Sequence, residues 1–139
     1  MISSIINKIS NLKDLPLLIL RLVLAYGFYD PFMKKVANIG NIAAWFESIN
    51  IPLPTLNAYL ATATEGLGVI LLTLGLFTRY ISIPLMITMV VAIITVHGAN
   101  GFSAGNNGFE IPFYYLVMLF TLLVYGSGKF SVDRFLNLK

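Results

Sequence analysis

Long apolar stretches separated by short polar segments make up most of this chain, and they predict helices that cross a membrane. Four stretches cover residues 15–33, 56–77, 81–97 and 111–125, and in this order we call them spans 1 to 4. A helix needs about 20 residues to cross the bilayer core, with a usable range of about 17–25, so span 4 is slightly short. The runs lack the alternation of barrel strands. The pattern therefore predicts an all-α, four-transmembrane-helix bundle in one domain over residues 1–139.

Residues 38–50, between spans 1 and 2, have a different pattern. Apolar side chains recur there at helical spacing, at Ile39, Ile42, Ala43, Phe46 and Ile49. This spacing predicts a short amphipathic helix on the outer membrane surface, with Trp45 near the lipid headgroups. Pro52 and Pro54 are expected to end it, and Thr55 is expected to cap span 2.

The composition agrees with a membrane protein. Hydrophobic residues make up 58% of the chain and charged residues 11%, against about 25% charged residues in soluble domains. The net charge of +3 is scattered, which does not indicate nucleic-acid binding. The chain has no cysteine and one histidine, which excludes thiol redox chemistry, iron–sulfur ligation and a bis-histidine haem within one copy. We expect no cofactor or metal site made by the chain itself.

Basic residues predict the orientation. If the four spans alternate, one side of the membrane receives Lys8, Lys13, Arg79, Lys129, Arg134 and Lys139. The other side receives Lys34 and Lys35. The excess predicts that both termini are cytoplasmic. Because Arg21 interrupts span 1 and no A-x-A cleavage pattern follows, we interpret span 1 as a retained helix and not a signal peptide.

Charged residues inside the spans are the strongest functional signal. Glu65 lies within span 2 and Arg21 within span 1, where each costs about 2.5–3.5 kcal/mol on insertion scales. Charged groups inside the membrane usually form an ion pair or take part in the function of the protein. Arg21 and Glu65 could pair with each other, because the long Arg21 side chain can bridge part of the difference between their depths in the membrane.

Further polar residues gather at the predicted outer ends of the spans. Glu110 and Tyr114 share a stripe on span 4, and a glycine-rich loop, residues 98–108, is expected to fold over the mouth of the bundle. A helical wheel places His97 on a different face from Ala92. The sequence assigns no catalytic residue, and the candidates for ligand binding or proton handling are Glu65, Arg21, Glu110, His97, Tyr114 and Lys35.

Several short motifs occur in a recognisable order. They are Arg21 and Lys35 with Gly27 between them, Trp45-Phe46, Glu65-Gly66-Leu67-Gly68, Leu74-Gly75-Leu76 with Arg79, His97, Asn107-Gly108-Phe109-Glu110 and Gly126-Ser127-Gly128-Lys129 before Asp133. Together they make the chain similar to the DoxX family of small bacterial membrane proteins. The resemblance implies four membrane helices in the bacterial inner membrane. It also implies an association with quinol oxidases and membrane oxidoreductases.

Two classes of function follow, and both stay open at this point. The first is a redox-associated subunit that binds a quinone or supports a membrane oxidoreductase partner, with Glu65 and Arg21 polarising a quinone oxygen. The second is a non-enzymatic scaffold, assembly factor or small-molecule transporter, in which the two charges form a structural ion pair. The lipid bilayer is the expected surrounding in both, and a monomer and a homodimer are both compatible with four helices.

Overall fold

The structure, a computed structural model, describes residues 1–138 and contains helices without strands over this range. Lys139, part of the charge argument above, lies outside the described residues. The α-helices are α1 (Ile2–Ser10), α2 (Asp14–Ala37), α3 (Ile39–Ser48), α4 (Pro54–Leu74), α5 (Thr78–Ala92), α6 (Glu110–Tyr125) and α7 (Val132–Phe135). A π-helical turn, Ile93–His97, continues α5, and 3-10 turns follow at Gly98–Asn100 and Ala104–Asn106.

Three helices are long and apolar enough to cross a membrane: Asp14–Ala37, Pro54–Leu74 and Thr78–Asn100. The fourth apolar helix, α6, has 16 residues. Large apolar side chains such as Ile70, Ile94 and Phe120 point outward from these helices and are exposed. A lipid surrounding accounts for this exposure, because hydrocarbon solvates such side chains while water does not.

The helices of the first three predicted spans begin or end a few residues away from the predicted bounds. Helix α2 runs past residue 33 to Ala37, which places Lys34 and Lys35 on its last turn. The helix α4 ends at Leu74 because Gly75 adopts a left-handed conformation (φ 68°), which glycine tolerates without steric cost. The turn between α4 and α5 ends before Thr78, so α5 begins three residues earlier than the predicted residue 81.

The segment 38–50 contains the short helix α3, as its apolar spacing indicates. Trp45 is 43% exposed on this helix. The expected cap of the next helix is wrong. Leu53 occupies the N-cap position of α4 without a side-chain hydrogen bond, and Pro54 begins the helix, since its missing N–H has no partner to lose there. Helix α1, whose residues are all exposed, was not predicted from the sequence.

Apolar side chains from four helices form the core. The buried cluster comprises Leu24, Ala25, Phe28, Leu72, Ile81, Leu85, Met89, Leu119 and Leu122. Small residues on α4 allow close approach: a Cβ atom at Gly68 would lie 2.9 Å from Leu85 Cδ1, and one at Gly66 would lie 2.6 Å from Phe32. This contact is the small-residue packing expected between membrane helices.

The C-terminal segment, residues 126–138, closes one end of the bundle, which we call the terminal end. Asp133 accepts hydrogen bonds from the backbone N–H groups of Phe77 (2.8 Å) and Thr78 (3.2 Å), at the start of α5. Its own backbone N–H donates to the Gly75 carbonyl at 3.0 Å. Ser131 caps α7 by accepting from the Arg134 N–H. The carboxylate of Asp133 thus satisfies donors that a helix start leaves unpaired.

Arg21 is fully buried at this terminal end. Its Nη2 donates to the carbonyl of Phe130, while its Nε and Nη1 have no hydrogen-bond partner among the described residues. Gly75 lies directly against the guanidinium, since a Cβ atom there would be 1.6 Å from Nη1. The guanidinium therefore joins α2 to the C-terminal segment.

Candidate functional site

A buried ion pair joins Lys35, on the last turn of α2, to Glu65, in the middle of α4. The Lys35 Nζ lies 3.1 Å from Oε1 and 3.0 Å from Oε2 of Glu65. The side chains are 16% and 4% exposed. Because the carboxylate is almost fully buried and its hydrogen bonds come from Lys35, the ammonium group is its main source of charge compensation. The partner of Glu65 is thus Lys35 and not Arg21, which lies at the terminal end.

The neighbouring lysine has the opposite environment. Lys34 forms an ion pair with Asp30, one turn earlier on α2, at 2.7 Å, with side chains 74% and 70% exposed. Successive residues on a helix point about 100° apart, since 3.6 residues complete a turn. Lys35 therefore points into the bundle while Lys34 points away from it.

A cleft of about 270 Å³ opens beside Glu65, at the end of the bundle opposite the terminal end. We call this end the loop end. The walls come from three helices and the loop before α6: Gly27, Phe28, Pro31, Met89, Ala92, His97, Ala104, Asn107, Gly108, Ile111, Pro112 and Tyr115. Most of these side chains are apolar, while Glu65, His97, Asn107 and Tyr115 offer polar groups. Apolar walls with a few polar groups are typical of small-molecule sites.

Tyr115 fits into this cleft because Gly27 has no side chain. A Cβ atom at residue 27 would lie 2.0 Å from the Tyr115 hydroxyl oxygen. The Tyr115 ring packs edge-on against Phe28, with centroids 5.3 Å apart. Tyr114 was the predicted candidate on this helix, and Tyr115 was not predicted. The spacing of Ile111 and Tyr115, one helical turn apart, is the signal that could have identified it.

His97 lies in the cleft wall, and its predicted separation from the face of Ala92 is wrong. The cause is the π-helical turn Ile93–His97. In a π-helix the hydrogen bond joins residue i to residue i+5, so His97, five positions after Ala92, returns to the same face. Both residues line the cleft. The prediction assumed an α-helix, which has fewer residues per turn than a π-helix and therefore placed His97 on a different face.

The loop between α5 and α6 covers the cleft. His97 Nδ1 lies 2.9 Å from the Asn107 carbonyl, and because a carbonyl only accepts, Nδ1 carries the proton in this bond. Asn100 donates to the same carbonyl at 3.0 Å. Gly108 packs against the backbone of Gly101, where a Cβ atom would approach a carbonyl oxygen to 2.4 Å. The loop itself is thus held in place by backbone contacts that the glycine-rich sequence permits.

Glu110 and Tyr114 lie outside the cleft walls. The Glu110 Oε1 accepts the Ala104 N–H at 3.1 Å, so this carboxylate holds the loop. The Tyr114 ring packs against Phe102, with centroids 6.3 Å apart, and is 45% exposed. Within residues 1–138, no three side chains of the types that ligate metals lie close enough together to hold an ion.

Comparison with known proteins places this arrangement in a family. A profile described as DoxX matches residues 16–98. The chain belongs to the DoxX family. The matched region contains Arg21, Lys35, Glu65 and His97 and ends before the loop and α6. In this DoxX protein, one wall of the cleft therefore lies beyond the matched region.

Relatives of this DoxX protein support the assignment over most of its length. An uncharacterized protein of Haemophilus influenzae is 32% identical over 129 residues, covering 87% of this chain and 83% of the relative. "Putative oxidoreductase CatD" of Bacillus subtilis is 32% identical over 120 residues, covering 85% and 84%. An uncharacterized membrane protein of Mycobacterium tuberculosis, Rv3486, is 34% identical over 102 residues, covering 66% and 63%. No solved structure gives a significant match to the chain.

The chain is therefore a DoxX-family membrane protein with several apolar helices. The structure brings three of its sequence-predicted candidates together, Lys35, Glu65 and His97. It places Arg21 at the terminal end and Glu110 and Tyr114 around the loop. The fold adds Tyr115 to the first group.

Proposed function

We propose that the loop-end cleft binds the headgroup of a quinone and that the protein is a redox-associated subunit of a membrane oxidoreductase. The buried Lys35–Glu65 pair beside an apolar cleft is the observation that supports this proposal. Intramembrane charges facing a bundle interior mark ligand or proton pathways. The Bacillus subtilis relative carries the word oxidoreductase in its name, which favours a redox setting.

The proposed topology has four membrane spans, α2, α4, α5 with its π-helical turn, and α6. At about 1.5 Å per residue, the 16 residues of α6 cover about 24 Å, so flanking residues complete its crossing of the roughly 30 Å core. The interfacial helix α3 then lies on the outer surface. Its exposed Trp45 side chain is suited to the headgroup region.

The number of basic residues at each end of the bundle supports cytoplasmic termini in the bacterial inner membrane. The two lysines that opposed this orientation, Lys34 and Lys35, each pair with a carboxylate at the loop end. Besides the buried Arg21, the basic residues described at the terminal end are Lys8, Lys13, Arg79, Lys129 and Arg134, and none of these six forms an ion pair within residues 1–138. The larger number of Lys and Arg residues therefore lies at the terminal end, which the positive-inside rule assigns to the cytoplasm.

The cleft suits a single substituted ring. Its volume of about 270 Å³ lies just below the usual range of about 300–1,000 Å³ for ligand pockets. Phe28, Met89 and Ile111 supply apolar contacts to the ring. The Tyr115 hydroxyl in the cleft wall can donate to a carbonyl oxygen, and the Glu65 carboxylate, which Lys35 pairs from outside the cleft lining, can accept a proton.

A bound quinone supplies two-electron carbonyl redox chemistry, and the oxidoreductase partner supplies or takes the electrons. The chain's own residues have three tasks in this proposal: the loop lines one side of the cleft, Tyr115 orients the ring, and the Glu65 carboxylate accepts a proton near the headgroup. Removing the carboxylate should weaken binding without preventing membrane insertion, because the glutamine side chain is nearly isosteric.

Quinone retention tests the proposal. The protein is purified from membranes in mild detergent, and extracted quinone is quantified per mole of protein by chromatography with mass spectrometry. Glu65→Gln is compared with Glu47→Gln, a matched change of an exposed carboxylate on α3. We expect Glu65→Gln to lower retention at least about tenfold, the magnitude of one charge-assisted hydrogen bond, and Glu47→Gln to retain wild-type amounts. Wild-type protein without quinone, or equal retention in both variants, would contradict the proposal.

A second candidate function is a non-enzymatic scaffold, assembly factor or transporter, and the geometry of the ion pair favours it. The Lys35 Nζ contacts both oxygens of Glu65, which satisfies the carboxylate without any ligand. In that case the wild-type protein purifies without a quinone and still captures a membrane partner, and Glu65→Gln changes stability alone.

A further inference from the structure

We propose that a second cleft, at the terminal end, binds the phosphate group of an anionic phospholipid. This cleft has a volume of about 780 Å³ and lies between the beginning of α2, the end of α6 and the C-terminal segment. The proposal depends on membrane embedding and not on quinone binding, since the two clefts share no lining residue.

The charged side chains of this cleft are mainly basic. Its lining includes four basic residues, Lys13, Arg79, Lys129 and Arg134, and two acidic residues, Asp14 and Asp133. Four positive charges minus two negative charges leave +2. A basic depression between helices at the cytoplasmic side is the setting in which anionic lipid headgroups bind.

The two acidic residues already have other partners. The Asp14 Oδ1 accepts the backbone N–H of Lys129 at 3.1 Å. Both carboxylate oxygens of Asp133 accept hydrogen bonds, from the start of α5 and from the Ser127 hydroxyl at 3.1 Å. Over residues 1–138, the ion pairs within 4.0 Å involve only Lys34 and Lys35, at the other end. The four basic side chains therefore have no carboxylate partner in the part of the chain that the structure describes.

Arg79 supplies the most specific recognition group. Its Nε is buried and has no hydrogen-bond partner among the described residues. Gly126, with φ 79°, lies against the guanidinium, because a Cβ atom there would be 3.0 Å from Nε and 3.3 Å from Nη2. A planar guanidinium held against backbone presents a fork of donors that matches a phosphate. A buried donor without a partner indicates an acceptor that the protein itself does not provide.

The remaining lining distinguishes a lipid from a soluble anion. Leu17, Leu20 and Tyr125 form an apolar wall on α2 and α6, next to the charged residues. A phospholipid satisfies both parts at once, because its phosphate reaches the basic side chains while its acyl chain follows the apolar helix surface into the bilayer. Inorganic phosphate satisfies only the first part.

Lipid-dependent thermal protection tests the proposal. The full-length protein is purified in neutral detergent, and its unfolding temperature is measured with added phosphatidylglycerol, phosphatidylcholine or sodium phosphate at equal phosphorus concentration. We expect a rise with phosphatidylglycerol only, and a weaker rise in high salt, since surface charges are screened. Equal protection by phosphatidylcholine would overturn the proposal, and equal protection by sodium phosphate would overturn the assignment to a lipid.

Variants locate the site. Lys129 and Arg134 have exposed side chains, so the double change Lys129→Gln and Arg134→Gln should leave the fold intact, as circular dichroism can verify. Each basic residue near an anionic headgroup contributes roughly fivefold in affinity, so this double variant should bind phosphatidylglycerol about twenty-five-fold more weakly. The matched control is Lys8→Gln with Lys34→Gln, which lies outside the cleft lining. A comparable loss in the control would refute the location.

Discussion

Replacing Lys35 with methionine should destabilise the protein far more than the same change one residue earlier. The Lys35 Nζ compensates a carboxylate that is 4% exposed. Breaking a buried pair by removing one partner costs about 3–5 kcal/mol. Because the Lys35 side chain keeps 16% exposure and water can partly replace it, we expect about 3 kcal/mol. Lys34→Met removes an ion pair of exposed side chains and should cost about 0–1 kcal/mol.

A double-mutant cycle separates the charge from the packing. Glu65→Gln alone should cost about 2 kcal/mol, because it removes the charge-assisted acceptor of Lys35. The double variant Lys35→Met with Glu65→Gln should cost about 3 kcal/mol, because no uncompensated charge remains. The two losses then fall short of additivity by about 2 kcal/mol, within the range measured for contacting residues.

The assay is equilibrium unfolding in mixed micelles, with rising sodium dodecyl sulfate in a mild detergent, followed by far-ultraviolet circular dichroism. Free energies of unfolding are compared for the wild type, the two single variants, the double variant and Lys34→Met. Additive losses, or equal losses for Lys35→Met and Lys34→Met, would refute the reasoning that the pair is buried and compensating.

Two further predictions concern the terminal end. Gly75→Ala should lower the free energy of unfolding by more than about 1–2 kcal/mol. A left-handed conformation alone costs that much for other residues, and the added Cβ would also clash with Arg21. The control Gly40→Ala, with open space around the added methyl group, should raise the free energy of unfolding by up to about 1 kcal/mol. Asp133→Asn should cost about 1–3 kcal/mol by weakening the acceptors at the start of α5, whereas Asp30→Asn, at an exposed side chain, should change stability by less than about 1 kcal/mol. The same detergent unfolding measurement checks both, and a Gly75→Ala protein as stable as wild type would contradict the first.

Apolar periodicity and the cost of burying charge explain which parts of the fold could be predicted. The three long apolar helices follow from uninterrupted runs, and the interior position of Glu65 and Arg21 follows from the expense of exposing them to lipid. The predicted positions of the helix ends were less accurate, because a helix end depends on the conformation of one or two residues. Gly75 in the left-handed conformation moved one boundary, and Pro54 at the first helical position replaced the expected threonine cap.

The partners within the site depend on contacts that are distant in sequence. Lys35 and Glu65 are 30 residues apart, and no local sequence pattern predicts which basic residue forms an ion pair with a given carboxylate. His97 was assigned to the wrong face because the sequence contains no recognisable signal for a π-helical turn. Tyr115 became part of the cleft only because Gly27, on another helix, leaves room for its hydroxyl group.

The bond between Arg21 and Phe130 has a consequence for biogenesis. These residues are 109 positions apart, so the guanidinium on α2 is synthesised well before the carbonyl in the C-terminal segment that accepts its hydrogen bond. Until then, the nascent chain exposes an unsatisfied cation within its first membrane helix. Docking of residues 126–138 is therefore the assembly step that gives this cation its acceptor.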